Sequence, residues 1–311
     1  MNKKKLTKKW DLASIIAALI KLPGIKVDRE SFLREQFKNL LPEMIEKIVE
    51  EGPVEAGCDR EELKKKAKRI IREYTAISTG ASIAAGIPGG IAMAATMPAD
   101  MFQFYAVSLR MAQELVYLYG EPDLWCDSTE DSEKVRAQLI LYLGVMFGAN
   151  GAASAVRVVS SNLSKRLLTT LPQKALMKTI YYPITKSILK FFGVSLTKNT
   201  FAKGISKVVP VVGGVVSGGI TLASMLPMGK RLAKVLDQAH FAYDEADFQK
   251  DMDVIDVIYR EVEQENTQAE NKAAQTESVL EQIEKAKQML DMGIITEEEF
   301  SSMKAKLIAD L

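Results

Sequence analysis

Pro98-Ala99-Asp100-Met101-Phe102-Gln103-Phe104-Tyr105, running on to Tyr117-Leu118-Tyr119 and closed by Gly120 and Pro122, reads as one long helix with a marked beginning and end. Proline is preorganised for a helix start, and glycine followed by proline suits a helix stop. Asp100 falls at the N-terminus, where a carboxylate satisfies free N–H groups and the helix dipole. We therefore read Asp100 as a helix cap, with a functional acid as the alternative. Arg110 and Glu114 are four residues apart and predict an ion pair across one turn.

Working outward, the remaining segments have the same helical grammar, and the fold class they predict is all-α. Residues 28–75 read as two amphipathic helices broken near Glu51-Gly52-Pro53. The second opens with Asp59 as N-cap and Glu62 at capping-box spacing. The run Lys64-Lys65-Lys66-Ala67-Lys68-Arg69 reads as the wet face of that helix, with phosphate contact as the alternative. After His240 comes an acidic amphipathic helix with Met252, Ile255, Val257, Ile258 and Val262 as its apolar positions.

Three stretches carry no charge: from Glu73 to Asp100, residues 137–156, and residues 208–229. Each is near the roughly 20 residues that span a bilayer. Ser, Thr, Asn150, Pro88 and many glycines dilute them below an ordinary span. Small residues at helical spacing let backbones approach closely, in a packed helical domain or between helices in lipid. Gly86, Gly89, Gly90, Gly213, Gly214 and Gly218 are the candidates for such close packing.

The 311 residues are enough to bury a core, and 47% hydrophobic, 26% charged and 7% aromatic residues fit neither a disordered chain nor an ordinary polytopic membrane protein. Cys58 and Cys126 give no disulfide framework and fit a reducing, cytoplasmic setting. The net charge of +1 hides a division of charge. No Asp or Glu occurs from Lys134 through Leu236, whereas Asp244-Glu245 and Asp251-Met252-Asp253 begin an acidic C-terminal quarter. A basic middle calls for an anionic partner: a lipid surface, nucleic acid or the acidic tail itself. Lys165, Arg166, Lys186 and Lys190 are membrane-binding candidates there. So are Lys3, Lys4, Lys5, Lys8, Lys9, Trp10 and Ile16 of a basic N-terminal helix, which suits an anionic surface or packs on the domain. A secretory signal fits less well, because Asp11 interrupts the apolar run and Lys21 ends it without a cleavage pattern.

Chemistry finds no constellation, so no catalytic, cofactor or metal residues are assigned. His240 is the lone histidine, which excludes HExxH, and the two cysteines form no CxxC. Neither a phosphate-binding GxxxxGK[ST] nor a GxSxG elbow is present.

Gly86-Ile87-Pro88-Gly89-Gly90, Pro98-Ala99-Asp100, Arg110-Met111-Ala112-Gln113-Glu114-Leu115 and Tyr119-Gly120 together resemble the signature of the EcsC family. Val209-Pro210-Val211-Val212-Gly213-Gly214, Gly218-Gly219 and Gly229-Lys230-Arg231 resemble its second glycine-rich block. The resemblance covers roughly residues 60–240. It implies a setting beside an ABC transporter and brings no catalytic residues with it.

Residues 277–311 are a self-contained signal. Leu280, Ile283 and Leu290 stripe one helix, Gly293 ends it, and Thr296 with Glu299 forms a capping box flanked by Ile295 and Phe300 as a hydrophobic staple. Leu290-Asp291-Met292-Gly293-Ile294-Ile295-Thr296-Glu297-Glu298-Glu299-Phe300 closely resembles the SHOCT domain, which implies oligomerisation or interaction. A hairpin of about 35 residues has little core of its own, so Leu280, Ile283, Leu290, Ile295, Phe300 and Leu307 are expected to pack on a second copy, another protein or the rest of its own chain.

The domains expected are thus N-terminal helices (1–58), an EcsC-like helical domain (59–262), a polar linker or solvated helix end (263–276) and the hairpin (277–311). The function expected is that of a non-enzymatic, membrane-associated accessory or stress-related protein that oligomerises through the hairpin. Three alternatives stay open. The first is a membrane-inserting, pore-forming effector. The second is a nucleic-acid binder, although no HTH, RRM or zinc motif organises the basic residues. The third is a lipid-acting enzyme around Asp100, Arg110 and Glu114.

Overall fold

A computed structural model describes residues 16, 19–22, 24–77, 99–125, 131–163, 175, 177–195 and 218–309. Among these, every regular element is helical: α1 (Arg29–Phe37), α2 (Pro42–Glu51), α3 (Arg60–Ile77), α4 (Ala99–Leu118), α5 (Asp131–Phe147), α6 (Ala152–Ser160), a π-helical turn (Met177–Tyr181), α7 (Tyr182–Ser195), α8 (Gly218–Phe241), α9 (Glu245–Asp291) and α10 (Glu297–Ala309). The all-α expectation holds. Two compact units are formed, Met1–Tyr259 and Arg260–Leu311.

In the first unit α4 is the axis of the core. Tyr105, Leu109, Met111, Leu115, Val116 and Leu118 are fully buried on it, and it packs against α1, α3, α5 and α8. The close approach of α8 has a sequence cause: a Cβ on Gly229 would stand 2.8 Å from Ile71 Cγ1 and 3.0 Å from Met111 Sδ. Sequence spacing located the ends of α4 and α3 well. Gly120 follows α4 at φ +98, where a side chain would be strained, and Asp59 Oδ2 accepts the Glu62 N–H at 2.9 Å.

One expectation needs correction. Residues 28–75 hold three helices, because Pro42 starts a new one and Leu41 before it is held extended (ψ 144). The uncharged stretch 137–156 lies in a packed helical domain, the first of the two settings its small residues allowed. It is interrupted by left-handed Gly148 and Gly151 (φ +76 and +74), and Leu139, Leu143, Met146, Ala152 and Val156 are fully buried in the core. The polar stretch 263–276 is helical, inside the unbroken α9, since Glu, Gln, Ala and Lys are good helix formers even where nothing apolar asks for burial. Along the first part of α9, Ile255, Ile258 and Val262 are buried as read from the sequence, while Val257 is exposed.

Among the described residues no helix is long and apolar enough to cross a membrane. The glycine candidates Gly86, Gly89, Gly90, Gly213 and Gly214 lie outside the described residues, and Gly218 is the first residue of α8.

Candidate functional site

The C-terminal hairpin is built from two local stop-and-start motifs. At the end of α9 the Gly293 N–H donates to Leu290 O (2.9 Å) and the Ile294 N–H to Met289 O (2.8 Å), with Gly293 left-handed at φ +73. This is a Schellman closure, which satisfies carbonyls the helix leaves free. Three residues later the capping box forms: the Glu299 N–H donates to Thr296 Oγ1 (3.3 Å), and the Thr296 N–H donates to Glu299 Oε2 (2.9 Å). The Thr296 N–H and the Thr296 hydroxyl (3.1 Å) both donate to Glu299 Oε2 and hold its carboxyl below its ordinary value.

The hairpin displays apolar side chains in water. Met292 is 71% exposed, Ile294 62% and Leu280 58%, and Met303 and Ile308 are also exposed. Of the residues singled out from the sequence, Ile283, Leu290, Ile295, Phe300 and Leu307 are half-buried. The fully covered positions are Val279 and Ala286, which periodicity anchored on Leu280 had missed. With Ile283 and Leu290 they make a 279, 283, 286, 290 stripe of alternating four- and three-residue steps.

Residues 281–308 match the SHOCT family, a short C-terminal domain. The match covers the last helical turns of α9, the Schellman turn, the capping box and nearly all of α10, so the SHOCT hairpin is read equally from its caps and from family similarity. No curated protein and no solved structure matches the chain.

The SHOCT capping box yields the first prediction. Thr296→Ala should destabilise the start of α10 by about 1 kcal/mol, seen as faster amide exchange at residues 297–299. Because the Glu299 pKa is lowered on folding, its contribution is present above the ordinary glutamate pKa. It is lost as the pH falls through the folded-state value. Protection of the Thr296 amide, which donates to that carboxylate, should therefore be lost in the wild type only as the pH falls below the ordinary glutamate pKa, and should be lost at a higher pH in Thr296→Ala, where the hydroxyl donor is gone. Equal protection in both proteins would refute the box.

In the first unit the polar candidates separate. Arg110 Nη2 stands 3.9 Å from Glu114 Oε1, and the Tyr74 hydroxyl donates to the same oxygen. Arg110 also donates to Tyr74 Oη (3.3 Å) and to Gly24 O. Burial pushes the Glu114 carboxyl up, partly offset by the Tyr74 hydrogen bond and the Arg110 charge. Asp100 does not join them: ten residues along the same helix place it about 15 Å away along the axis. It is the second described residue of α4, and its side chain lies outside the described set. The cluster thus ties α3, α4 and the Gly24 loop together.

Sequence reasoning missed Gln113, which is fully buried. Its Oε1 accepts the Val27 N–H (3.0 Å) and Trp125 Nε1–H (3.0 Å), while its Nε2 donates to Ile25 O (2.9 Å) and Leu109 O (3.0 Å). It also missed two long-range ion pairs, Arg60 with Asp237 and Arg157 with Asp251. The second joins the basic middle to the acidic tail, one of the three partners the charge division allowed.

His240 stacks on Tyr119 with ring centroids 6.3 Å apart, and its Nε2 lies 3.8 Å from Glu121 Oε1 in the interior. Cys126 falls outside the described residues. Burial pushes the Cys58 thiol up to about 11, so it is not a thiolate at neutral pH. Among the described residues no group of three or more His, Cys, Asp or Glu could hold a metal ion.

Of the membrane-binding candidates, Lys3, Lys4, Lys5, Lys8, Lys9, Trp10, Lys165 and Arg166 lie outside the described residues. Ile16 is buried. Lys186 is half-buried and Lys190 exposed, both on α7. The Lys64–Arg69 run is more than a wet face: Lys66 sits 4.5 Å from the centre of the Phe37 ring and donates to Gln36 O (2.7 Å).

Proposed function

We propose that this chain is a non-enzymatic accessory protein of an anionic membrane surface, with a helical EcsC-like domain, and that it self-associates through its SHOCT hairpin. The observation that carries the reading is the exposed apolar set Leu280, Met292 and Ile294 on a hairpin too short to bury it. Leaving three such side chains in water forgoes about 1.5–3 kcal/mol each, which a second hairpin recovers by covering them. Methionine suits such a contact, since its flexible thioether adapts to the facing surface. The membrane part rests on the absence of Asp and Glu from Lys134 through Leu236. The resemblance of residues 60–240 to the EcsC family supports a setting beside an ABC transporter.

Light scattering coupled to size exclusion tests the self-association. The wild type should elute above its monomer mass of 34.4 kDa, and Met292→Glu/Ile294→Glu should return it to the monomer without changing helix content. These positions are exposed, so the substitutions leave the fold intact. A wild type that stays monomeric at tens of micromolar would refute the reading, and so would a double variant that still assembles.

A further inference from the structure

The π-helical turn and α7 carry two stripes set two residues apart. Ile180, Ile184 and Ile188 are fully buried. Lys178, Tyr182, Lys186 and Lys190 recur every fourth residue between them. A two-residue offset is about 200° around a helix, so the stripes face opposite ways. Lys178 and Lys190 are exposed and Lys186 half-buried. Tyr182, within this second stripe, is 50% exposed.

We propose that this face of α7 is a peripheral docking surface for an anionic lipid leaflet, a proposal that rests on the membrane reading above. The occupant is argued from charge complementarity, because neither α7 nor any residue from Lys134 through Leu236 is a carboxylate. A lipid headgroup layer uses everything the face offers. Lysine stems lie along apolar surface while their ammonium groups reach phosphates, and a half-exposed tyrosine ring sits at the boundary between wet and apolar layers. A nucleic-acid duplex gripped through its phosphates would use the lysines but leave Tyr182 without a role.

The geometry also sets the depth of binding. The apolar stripe of α7 is already spent inside the protein: a Cβ on Gly144 would lie 2.5 Å from Ile188 Cδ1, so α5 and α7 are in tight contact along it. The face therefore adsorbs on a bilayer and does not insert.

The test is flotation of the full chain with phosphatidylcholine vesicles, with and without phosphatidylglycerol, at low and high salt. The wild type should float only with the anionic vesicles and should be released by salt. Lys178→Gln/Lys190→Gln should lower the partition coefficient by about tenfold or more, since each cation near the surface contributes about 1 kcal/mol. Tyr182→Ser should weaken binding while keeping its salt dependence. Unfolding curves matching the wild type show that each variant is folded; if the double variant fails this, Lys178→Glu at its exposed position carries the same test. Anionic-vesicle binding unchanged in these variants would overturn the assignment of this face and leave the membrane reading to other cations. A wild type that floats with no vesicle overturns both. Loss of duplex DNA affinity in the variants, without vesicle binding by the wild type, would hand the face to nucleic acid.

Discussion

Gln113→Ala is expected to destabilise the first unit by about 3–5 kcal/mol. The side chain is fully buried and makes four hydrogen bonds. Two of them reach backbone groups of the segment before α1, the Val27 N–H and the Ile25 carbonyl. Ile25 is completely buried and Val27 nearly so, so water cannot replace the lost partner without opening the structure. Each orphaned buried group costs about 1–3 kcal/mol, and the cavity adds to that. Trp125 loses its Nε1 partner in the same step, so its fluorescence should report the change. Denaturant unfolding followed by tryptophan emission is the measurement. Gln113→Leu, which restores volume but not hydrogen bonds, should recover only the cavity part. A loss below 1 kcal/mol in Gln113→Ala would mean that the Ile25–Val27 segment is not held by this residue.

The second large effect is expected at Asp251. Its carboxylate accepts Arg157 Nε–H (2.8 Å), Nη2–H (2.6 Å) and the Tyr243 hydroxyl (2.9 Å). Its side chain is 6% exposed and that of Arg157 22%. Hydrogen bonding to Asp251 raises the Arg157 pKa above the ordinary guanidinium value, so the arginine stays charged at every accessible pH. Asp251→Ala therefore strands a charged, largely buried guanidinium, and breaking such a pair costs about 3–5 kcal/mol. The double replacement Arg157→Met/Asp251→Leu should be much milder than Asp251→Ala alone, because no charge is left behind. Unfolding curves with amide exchange over residues 245–259 give the comparison. If the single and double variants lose the same stability, the contact is held by packing around Ile258, which lies against Gly151, and not by the ion pair.

These two sites mark where reading the sequence stops. Arg110 and Glu114 could be paired on paper because a helix brings residues four apart together wherever it lies. Arg157 and Asp251 are 94 residues apart, and Arg60 and Asp237 are 177 apart. Nothing local distinguishes those four from their equally charged neighbours. Gln113 was visible only as part of a family-like string, since a glutamine on a helix is most often solvated. Its role appears once the Ile25–Val27 segment lies against α4. Leu280 was chosen for the hairpin stripe on hydrophobicity, yet Val279 beside it is the covered residue. One residue is 100° of helix rotation, and no local rule fixes which of two adjacent apolar residues faces in.

Local residue chemistry settles the helical class, the helix ends at Asp59, Gly120, Gly293 and Thr296, and the SHOCT hairpin. Caps and turns are settled by hydrogen bonds and backbone angles within a few residues, so they are legible wherever the segment ends up. Tertiary structure alone decided that residues 137–156 are two core helices and not a span, that the acidic tail reaches back to Arg157, and that α7 turns its lysines outward. Those outcomes depend on which distant surfaces meet, and burial energy is set by the partner surface as much as by the residue itself.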